Sequence, residues 1–288
     1  EDSTPTLSKG KPSPIATVME KLADSYHRLE RFDDAIHCYA FCLQAYDEHF
    51  GHDSLQVGSI LRRVGRIYGE RQDHKRCVRA LQRALNVRDS LYDGDYETRV
   101  EDSMVFLQLA HSLTELGSYD EAALENYQSA VGILEDIHQL SQDQDSVENT
   151  ISPPSNLTNA DRHAIHEHNT YELLLKGYSA ILILLRRKEN ENPEDDEHII
   201  EVIHHIGNTR AALRQYEEAL TSLRHVLNYQ RRVKGDNHLS VADLLFNLGN
   251  IHIELGQIDE ARECHHECHD ISSAVLGNDS IELAENMM

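Results

Sequence analysis

Apolar residues recur at the spacing of one helix face throughout residues 241–270. Gly256 interrupts this spacing once, in a short polar turn, after which the spacing resumes. Gly249 and Ala261 are small where two helix backbones would have to approach closely. The pattern therefore predicts two antiparallel helices. Its apolar positions are Leu244, Leu245, Leu248, Ile251, Ile253, Ile258, Ala261, Cys264, His265 and Cys268.

The same pattern occurs at four other places in the chain. A single hairpin buries too little apolar surface to be stable alone, so copies that stack on one another are expected. In the third copy Tyr127 and Ala130 come one residue late, which predicts a bulge or a shifted start of its second helix. The first three copies carry Leu22, Ala23, Tyr26, Ala35, Tyr39 and Cys42; Leu61, Val64, Gly65, Tyr68, Cys77, Leu81 and Ala84; and Phe106, Leu109, Ala110, Leu113, Gly117 and Ala122.

The copies have a nearly constant period. Ala23 and Gly65 are 42 residues apart, Gly65 and Ala110 are 45 apart, and Gly207 and Gly249 are again 42 apart. A glycine also recurs in the linkers, at Gly51, Gly94, Gly235 and Gly277, each six residues before an apolar residue. Such a glycine suits a left-handed helix C-cap, and the polar residues after it suit the next N-cap.

The repeats divide the chain into segments. Residues 1–15 are predicted to be a flexible lead-in, 16–140 three hairpins, and 141–162 a polar, disordered insertion. Residues 163–198 are predicted to form a degenerate repeat with an acidic loop, and 199–276 two further hairpins. Residues 277–288 match the opening of a repeat and are predicted to continue the array or to cap it.

Composition and charge narrow the class of protein. The 288 residues include no tryptophan, few glycines and prolines, and 50 acidic against 27 basic side chains, a net charge of -23. This balance argues against binding to nucleic acid or anionic membranes, because their phosphates would be repelled. No apolar run is long enough to insert in a membrane, and five cysteines without framework spacing fit a reducing, cytoplasmic environment. The chain starts at Glu1 without a methionine and is predicted to be a fragment or a processed form.

The recurring Leu22-Ala23, Tyr26, Ala35, Tyr39 and Cys42 pattern resembles the tetratricopeptide repeat. The long linker Arg231-Arg232-Val233-Lys234-Gly235-Asp236-Asn237-His238 and the segment Phe246-Asn247-Leu248-Gly249 are similar to the kinesin light chain class of this repeat. The resemblance covers residues 16–140 and 199–288. It implies an all-α fold, a right-handed superhelix (α-solenoid) of antiparallel helix pairs, whose first helices line a concave peptide-binding groove.

Two arginines are candidates for contacting a peptide in this groove. Arg62 and Arg66 lie one turn apart on the predicted groove face of the second copy, within a segment, 61–90, that has nine basic and three acidic side chains. One hypothesis is that they hold an acidic linear segment through charge-assisted hydrogen bonds. The alternative is that these arginines form ion pairs with neighbouring acidic repeats, each pair contributing little.

Polar side chains are the groove candidates elsewhere. Asparagine amides both donate and accept, so Asn247 and Asn250 could hold a peptide backbone, or Asn247 could instead bond an adjacent helix. The other candidate groove residues are His111, His204 and Asn208.

Residues 264–269, Cys-His-His-Glu-Cys-His, form the one metal-like cluster in the sequence. Its i, i+4 pairs could each supply two ligands, but a structural zinc site needs four and no second cluster completes it. Core packing is favoured for Cys264, His265 and Cys268, so neither a metal nor a cofactor is predicted. No glycine-rich phosphate loop, nucleophile elbow or HExxH motif is found, so no catalytic residue is predicted either.

The function predicted from these features is a non-catalytic scaffold or adaptor that binds peptide segments, including acidic ones, of partner proteins. The kinesin light chain resemblance implies a cargo-adaptor role as a subunit of a microtubule motor. One alternative is a ligand-sensing regulatory domain of a larger enzyme or signalling protein. Another is an architectural subunit with one permanent partner.

Overall fold

The computed structural model describes residues 14–88, 96–117, 120–145, 159–188 and 196–276. These residues form eleven α-helices and contain no β-strand, so the predicted all-α class is confirmed. The helices are α1 (Pro14–Arg28), α2 (Phe32–Phe50), α3 (Leu55–Glu70), α4 (His74–Arg88), α5 (Tyr96–Glu115), α6 (Asp120–Asp145), α7 (Asn159–Lys188), α8 (Glu197–Ala212), α9 (Tyr216–Lys234), α10 (Leu239–Glu254) and α11 (Ile258–Leu276).

The helices group into two compact units, Glu1–Ile133 and Leu134–Met288. In the first unit α1 packs on α2 and α3 on α4 as the predicted hairpins, and α2 contacts α3 in turn. In the second unit α8 pairs with α9 and α10 with α11, and α9 contacts α10. Each hairpin therefore covers the apolar face of the next, as expected for stacked repeats.

In three hairpins a glycine on the first helix lies against a large residue 16 positions later. A Cβ atom added at Gly65 would lie 2.3 Å from Leu81 Cδ2, and one added at Gly207 would lie 2.7 Å from Leu223 Cδ2. At Gly249 the neighbour is the ring of His265, whose Cε1 would lie 2.7 Å from the added Cβ. The prediction that the small residues allow close helix contact is therefore confirmed.

The turn inside each hairpin uses a left-handed residue. It falls seven positions after the small residue in every copy. In two copies this residue is a glycine, and in three a side chain adopts a positive φ despite the steric cost. The five residues are Glu30 (φ 58°), Gln72 (φ 60°), Gly117 (φ 67°), Arg214 (φ 60°) and Gly256 (φ 72°).

The linker glycines end the second helices, but not in the predicted conformation. Gly51 has φ 90° and ψ 162°, and Gly235 has φ 88° and ψ 162°. These values describe an extended, mirror-image conformation that is almost restricted to glycine, and not the left-handed helical one. Each glycine turns the chain directly away from its helix. A polar side chain then caps the next helix, as at Ser54, whose side chain accepts a hydrogen bond from the backbone N–H of Val57. Gly94 and Gly277 lie outside the described residues.

The third hairpin keeps its core despite the shifted spacing. Ala123, Tyr127 and Ala130 of α6 are all buried. Helix α6 begins at Asp120, ten residues after Ala110, whereas α4 begins at His74, nine residues after Gly65. The bulge or shifted start stays a prediction, because residues 118–119 lie outside the described residues.

The predicted insertion, 141–162, is helical at both ends. Helix α6 continues to Asp145 and α7 already begins at Asn159. The sequence of 141–145 is polar but contains no glycine or proline, so nothing ends the helix there. Residues 146–158, the lead-in before Pro14, most of the acidic loop and the tail 277–288 lie outside the described residues.

Helix α7 contains the degenerate repeat and joins the second unit through Tyr178. This side chain is 6% exposed, donates a hydrogen bond to Glu135 of α6 and stacks on His205 of α8 at a ring-centroid distance of 5.0 Å. Gly177, Ile181 and Leu184 of α7 are buried, as the repeat pattern predicts.

None of the described helices combines the length and the apolar character needed to cross a membrane.

Candidate functional site: an arginine groove on helix α3

Four helices of the first unit line a groove of about 200 Å³. Ser59, Arg62 and Arg66 recur every three to four residues along α3, so one face of that helix forms the middle of the groove. We name it the arginine groove. It is lined by Asp24 of α1; Ser59, Arg62, Arg63 and Arg66 of α3; Leu81 of α4; and Glu101, Met104, Val105 and Gln108 of α5.

Arg63 belongs to an interhelical network with α1 and α2. Its Nη1 lies 3.0 Å from both carboxylate oxygens of Asp24 and 3.0 Å from Glu20 Oε1. Asp24 also accepts a hydrogen bond from the hydroxyl of Tyr39, which is fully buried. Burial and this hydrogen bond raise the pKa of Tyr39 above its usual value, so the phenol remains a donor. Arg63 is therefore a structural residue that ties three helices together.

Arg62 reaches across to α5. Its Nη1 lies 3.4 Å from Oδ1 of Asp102, a buried carboxylate, and its Nη2 lies 3.5 Å from Oε2 of Glu101. The Glu101 side chain is 64% exposed, so this contact is long and open to solvent. Asp102 holds the guanidinium in place, and Glu101 is a partner that a ligand carboxylate could replace.

Arg66 is the most exposed of the three arginines, at 55%. Its Nε lies 3.6 Å from Glu70 Oε1, one turn along α3, and its Nη2 lies 3.1 Å from Nδ1 of His27 on α1. The structure agrees in part with both hypotheses for these arginines. The ion pairs of the second hypothesis are present, but the contacts of Arg62 with Glu101 and of Arg66 with Glu70 are long and exposed. Whether the groove binds a ligand stays a prediction.

The sequence did not single out Met104 and Gln108, which form the α5 side of the groove. These residues lie six and two positions before Ala110, whereas the candidate on α5, His111, lies one position after it. Gln108 lies directly over Gly69 of α3, where a Cβ would come within 2.3 Å of its Nε2. Gly69, near the end of α3, was the sequence signal for the close approach of a side chain from α5.

His111, the candidate on α5, lies elsewhere. Its ring packs edge-on against the ring of His74 at the start of α4, with centroids 6.0 Å apart. It is not one of the residues that line the arginine groove.

The candidates of the second unit lie on α8 and α10. Asn208 Nδ2 is 3.2 Å from His204 Nε2. Burial lowers the pKa of His204, the adjacent His205 lowers it further, and Asp243 of α10 acts in the opposite direction. Burial also raises the pKa of Asp243. His204 therefore faces the next hairpin as a largely neutral ring.

Asn247 and Asn250 are at least partly exposed on α10. Among the described residues neither side chain has a hydrogen-bond partner, so the bond from Asn247 to an adjacent helix is not observed. Their amides are available, and their role in holding a peptide backbone stays a prediction.

The Cys/His segment of α11 packs within its hairpin. Cys268 is 4% exposed, and His265 lies against Gly249 and edge-on to the ring of Phe246 at 5.5 Å. In the described part of the chain no three His, Cys, Asp or Glu side chains are grouped to hold a metal ion.

No curated protein sequence matches this chain. Among solved structures, the assembly chaperone of RpL4 (Acl4) is 17% identical, with 94% of this chain and 93% of that chain covered and a TM-score of 0.48. The TPR2AB-domain:pHSP90 complex of yeast Sti1 is 15% identical over 94% and 96% of the two chains, with a TM-score of 0.32. A putative kinesin light chain of Podospora anserina is 13% identical over 92% and 97%, with a TM-score of 0.33.

The family comparison is more direct. The family model of the tetratricopeptide repeat matches residues 14–96 and 199–274, more than half of the chain. These two ranges contain the α1–α2, α3–α4, α8–α9 and α10–α11 hairpins, whose small residues and left-handed turns repeat in register. The chain therefore belongs to the tetratricopeptide repeat family.

Proposed function

We propose that this protein is a non-catalytic interaction scaffold that binds an acidic peptide segment of a partner protein in the arginine groove. The observation that carries the proposal is the position of Arg62 and Arg66 on the open face of α3, where their contacts with Glu101 and Glu70 are 3.5 and 3.6 Å long. A general scaffold role agrees with the family, whose stacked hairpins present extended surfaces to other chains.

Binding would exchange one set of carboxylates for another. A peptide carboxylate replaces Glu101 at Arg62 or Glu70 at Arg66, and can form the paired hydrogen bonds that the long native contacts lack. The buried Asp102 keeps Arg62 oriented, so little side-chain freedom is lost on binding. Met104, 44% exposed beside the arginines, offers apolar contact to a neighbouring side chain of the peptide.

The proposal is tested with a fluorescein-labelled peptide of four Asp-Glu-Leu units and a counterpart with lysine in place of each acidic residue. We expect fluorescence anisotropy to show saturable binding of the acidic peptide only. The double variant Arg62→Glu/Arg66→Glu should weaken that binding by at least about tenfold, a loss of about 1.4 kcal/mol.

Arg79→Glu/Arg83→Glu is the matched control. It makes the same charge change at i, i+4 on the exposed face of α4. It corrects for the long-range repulsion that any added acid exerts on an acidic peptide. Equal weakening by both double variants, or equal binding of the lysine peptide, would refute the proposal.

The kinesin light chain resemblance adds a finer proposal, that the partner is a cargo protein of a microtubule motor. The sequence of the partner peptide, once captured on the arginine groove, decides between this role and the regulatory or architectural alternatives.

A further inference from the structure

A second groove lies between α7, α8 and α9 and has a volume of about 490 Å³. Four aliphatic side chains, Leu182 and Ile183 of α7 and Ile203 and Ile206 of α8, form much of its wall. Ile183 is 53% exposed and opens the wall to solvent, whereas Ile203 and Ile206 are 6% and 4% exposed and lie deeper in the groove. The remaining lining residues are Ser179, Arg186, Arg210, Thr221, Ser222 and His225.

The charge of this groove is opposite to that of the chain. Its lining includes Arg186, Arg210 and His225 and no aspartate or glutamate. In the described part of the chain neither Arg186 nor Arg210 forms an ion pair. In the arginine groove, by contrast, every arginine has a carboxylate within 4 Å. Two guanidinium groups without an ion-pair partner, in a protein of net charge -23, make this an electrostatically distinct site.

Arg210 departs from the repeat at the position that other copies fill with Tyr26 and Tyr68. Its Nη1 donates to the hydroxyl of Ser222 at 3.1 Å, and Ser222 stands where other copies have Cys38 or Ala80. Its Nε is buried and has no hydrogen-bond partner among the described residues. A buried donor without an acceptor is costly, and this cost marks Arg210 as an unusual residue of the repeat.

This groove uses another face of α8 than the candidate peptide contacts. At 100° per residue, Ile203, Ile206 and Arg210 lie on nearly the opposite side of the helix from His204 and Asn208. It is also built from the second unit, whereas the arginine groove is built from the first. The two sites can therefore be tested independently.

We propose that the α7–α9 groove is a second docking site, which takes an acidic–aliphatic peptide segment of a partner protein. Aliphatic side chains of the segment pack on Leu182, Ile183, Ile203 and Ile206, and its carboxylates bind Arg186 and Arg210. Charge complementarity selects the partner, because an acidic segment finds two unpaired guanidinium groups and no competing carboxylate in the lining.

The experiment uses the full chain carrying Arg62→Glu/Arg66→Glu, so that the arginine groove does not contribute. The probe is a fluorescein-labelled peptide of three Leu-Leu-Glu-Glu units. We expect saturable binding, and we expect Arg186→Glu or Ile183→Glu to weaken it by about tenfold. Both residues are exposed, and thermal unfolding of each variant verifies that the fold is retained.

Arg187→Glu is the matched control, because it makes the same charge change one residue along α7 at an exposed position outside the lining. It should leave the affinity within about twofold. No saturable binding up to about 1 mM, or equal weakening by Arg187→Glu, overturns the proposal. Self-association that Ile183→Glu abolishes in sedimentation equilibrium also overturns it, because the occupant is then a second copy of the chain.

Discussion

We expect Gly207→Val to lower the free energy of unfolding by about 2–3 kcal/mol, the usual cost of overpacking a close contact. A Cβ at this position would lie 2.7 Å from Cδ2 and 2.8 Å from Cγ of Leu223, and 3.3 Å from Cβ of Ser222. Leu223 is fully buried, so it can yield only by moving its helix. Urea unfolding followed by circular dichroism measures the loss.

Gly132→Ala is the control for adding a side chain to a glycine inside a helix. In the described part of the chain, no atom apart from the backbone of its own helix lies within 4 Å of a Cβ built at Gly132. The substitution should stabilise the protein by about 0.5–1 kcal/mol, because alanine is the better helix former. If Gly207→Val were as harmless as Gly132→Ala, the close α8–α9 contact described above would be wrong.

The second large effect is expected at Arg63. We expect Arg63→Glu to cost about 2 kcal/mol of stability, because it removes the bonds to Asp24 and Glu20 and places a third carboxylate beside them. The expected loss of stability is no larger because Arg63 and Asp24 are more than a third exposed, so solvent screens their interaction. The measurement is the urea midpoint at low ionic strength.

Arg66→Glu is the comparison for this prediction. Its contact with Glu70 is long and exposed, so the substitution should cost no more than about 0.5 kcal/mol. Similar losses for Arg63→Glu and Arg66→Glu would show that the two arginines do not differ in role. The expected result makes Arg63 structural and leaves Arg66 available to a ligand.

The repeat architecture could be predicted from the sequence because its causes are local. The spacing of Ala23, Gly65, Gly207 and Gly249 follows from the need for one small residue per helix contact. The three glycines show that contact, and Ala23 is fully buried. The groove face of α3 followed from the same register, which placed Arg62 and Arg66 on one side.

The partners of these arginines could not be predicted in the same way. They depend on which residues of α1 and α5 face α3, and the packing between hairpins decides this. Arg63 was not singled out because its role arises from Asp24 and Glu20, which lie 39 and 43 residues away in the chain. Tertiary contacts of this kind have no signal in local periodicity.

The α7–α9 groove was missed for a different reason. Arg210 and Ser222 are ordinary polar residues when the second unit is considered alone. At the same repeat positions other copies have Tyr26 and Tyr68 in place of Arg210, and Cys38 and Ala80 in place of Ser222. Comparing the copies position by position would have marked both as departures from the pattern.

The measurement that tests the central claim most directly is the location of the bound acidic peptide. A photoreactive benzophenone amino acid replaces Met104 in the arginine groove or Phe41 on α2, positions with nearly equal exposure, 44% and 43%. We expect the four-unit Asp-Glu-Leu peptide to crosslink at Met104 and not at Phe41, with the crosslink lost in the Arg62→Glu/Arg66→Glu variant. Equal crosslinking at both positions, or a crosslink at Met104 that survives the double reversal, would contradict the account.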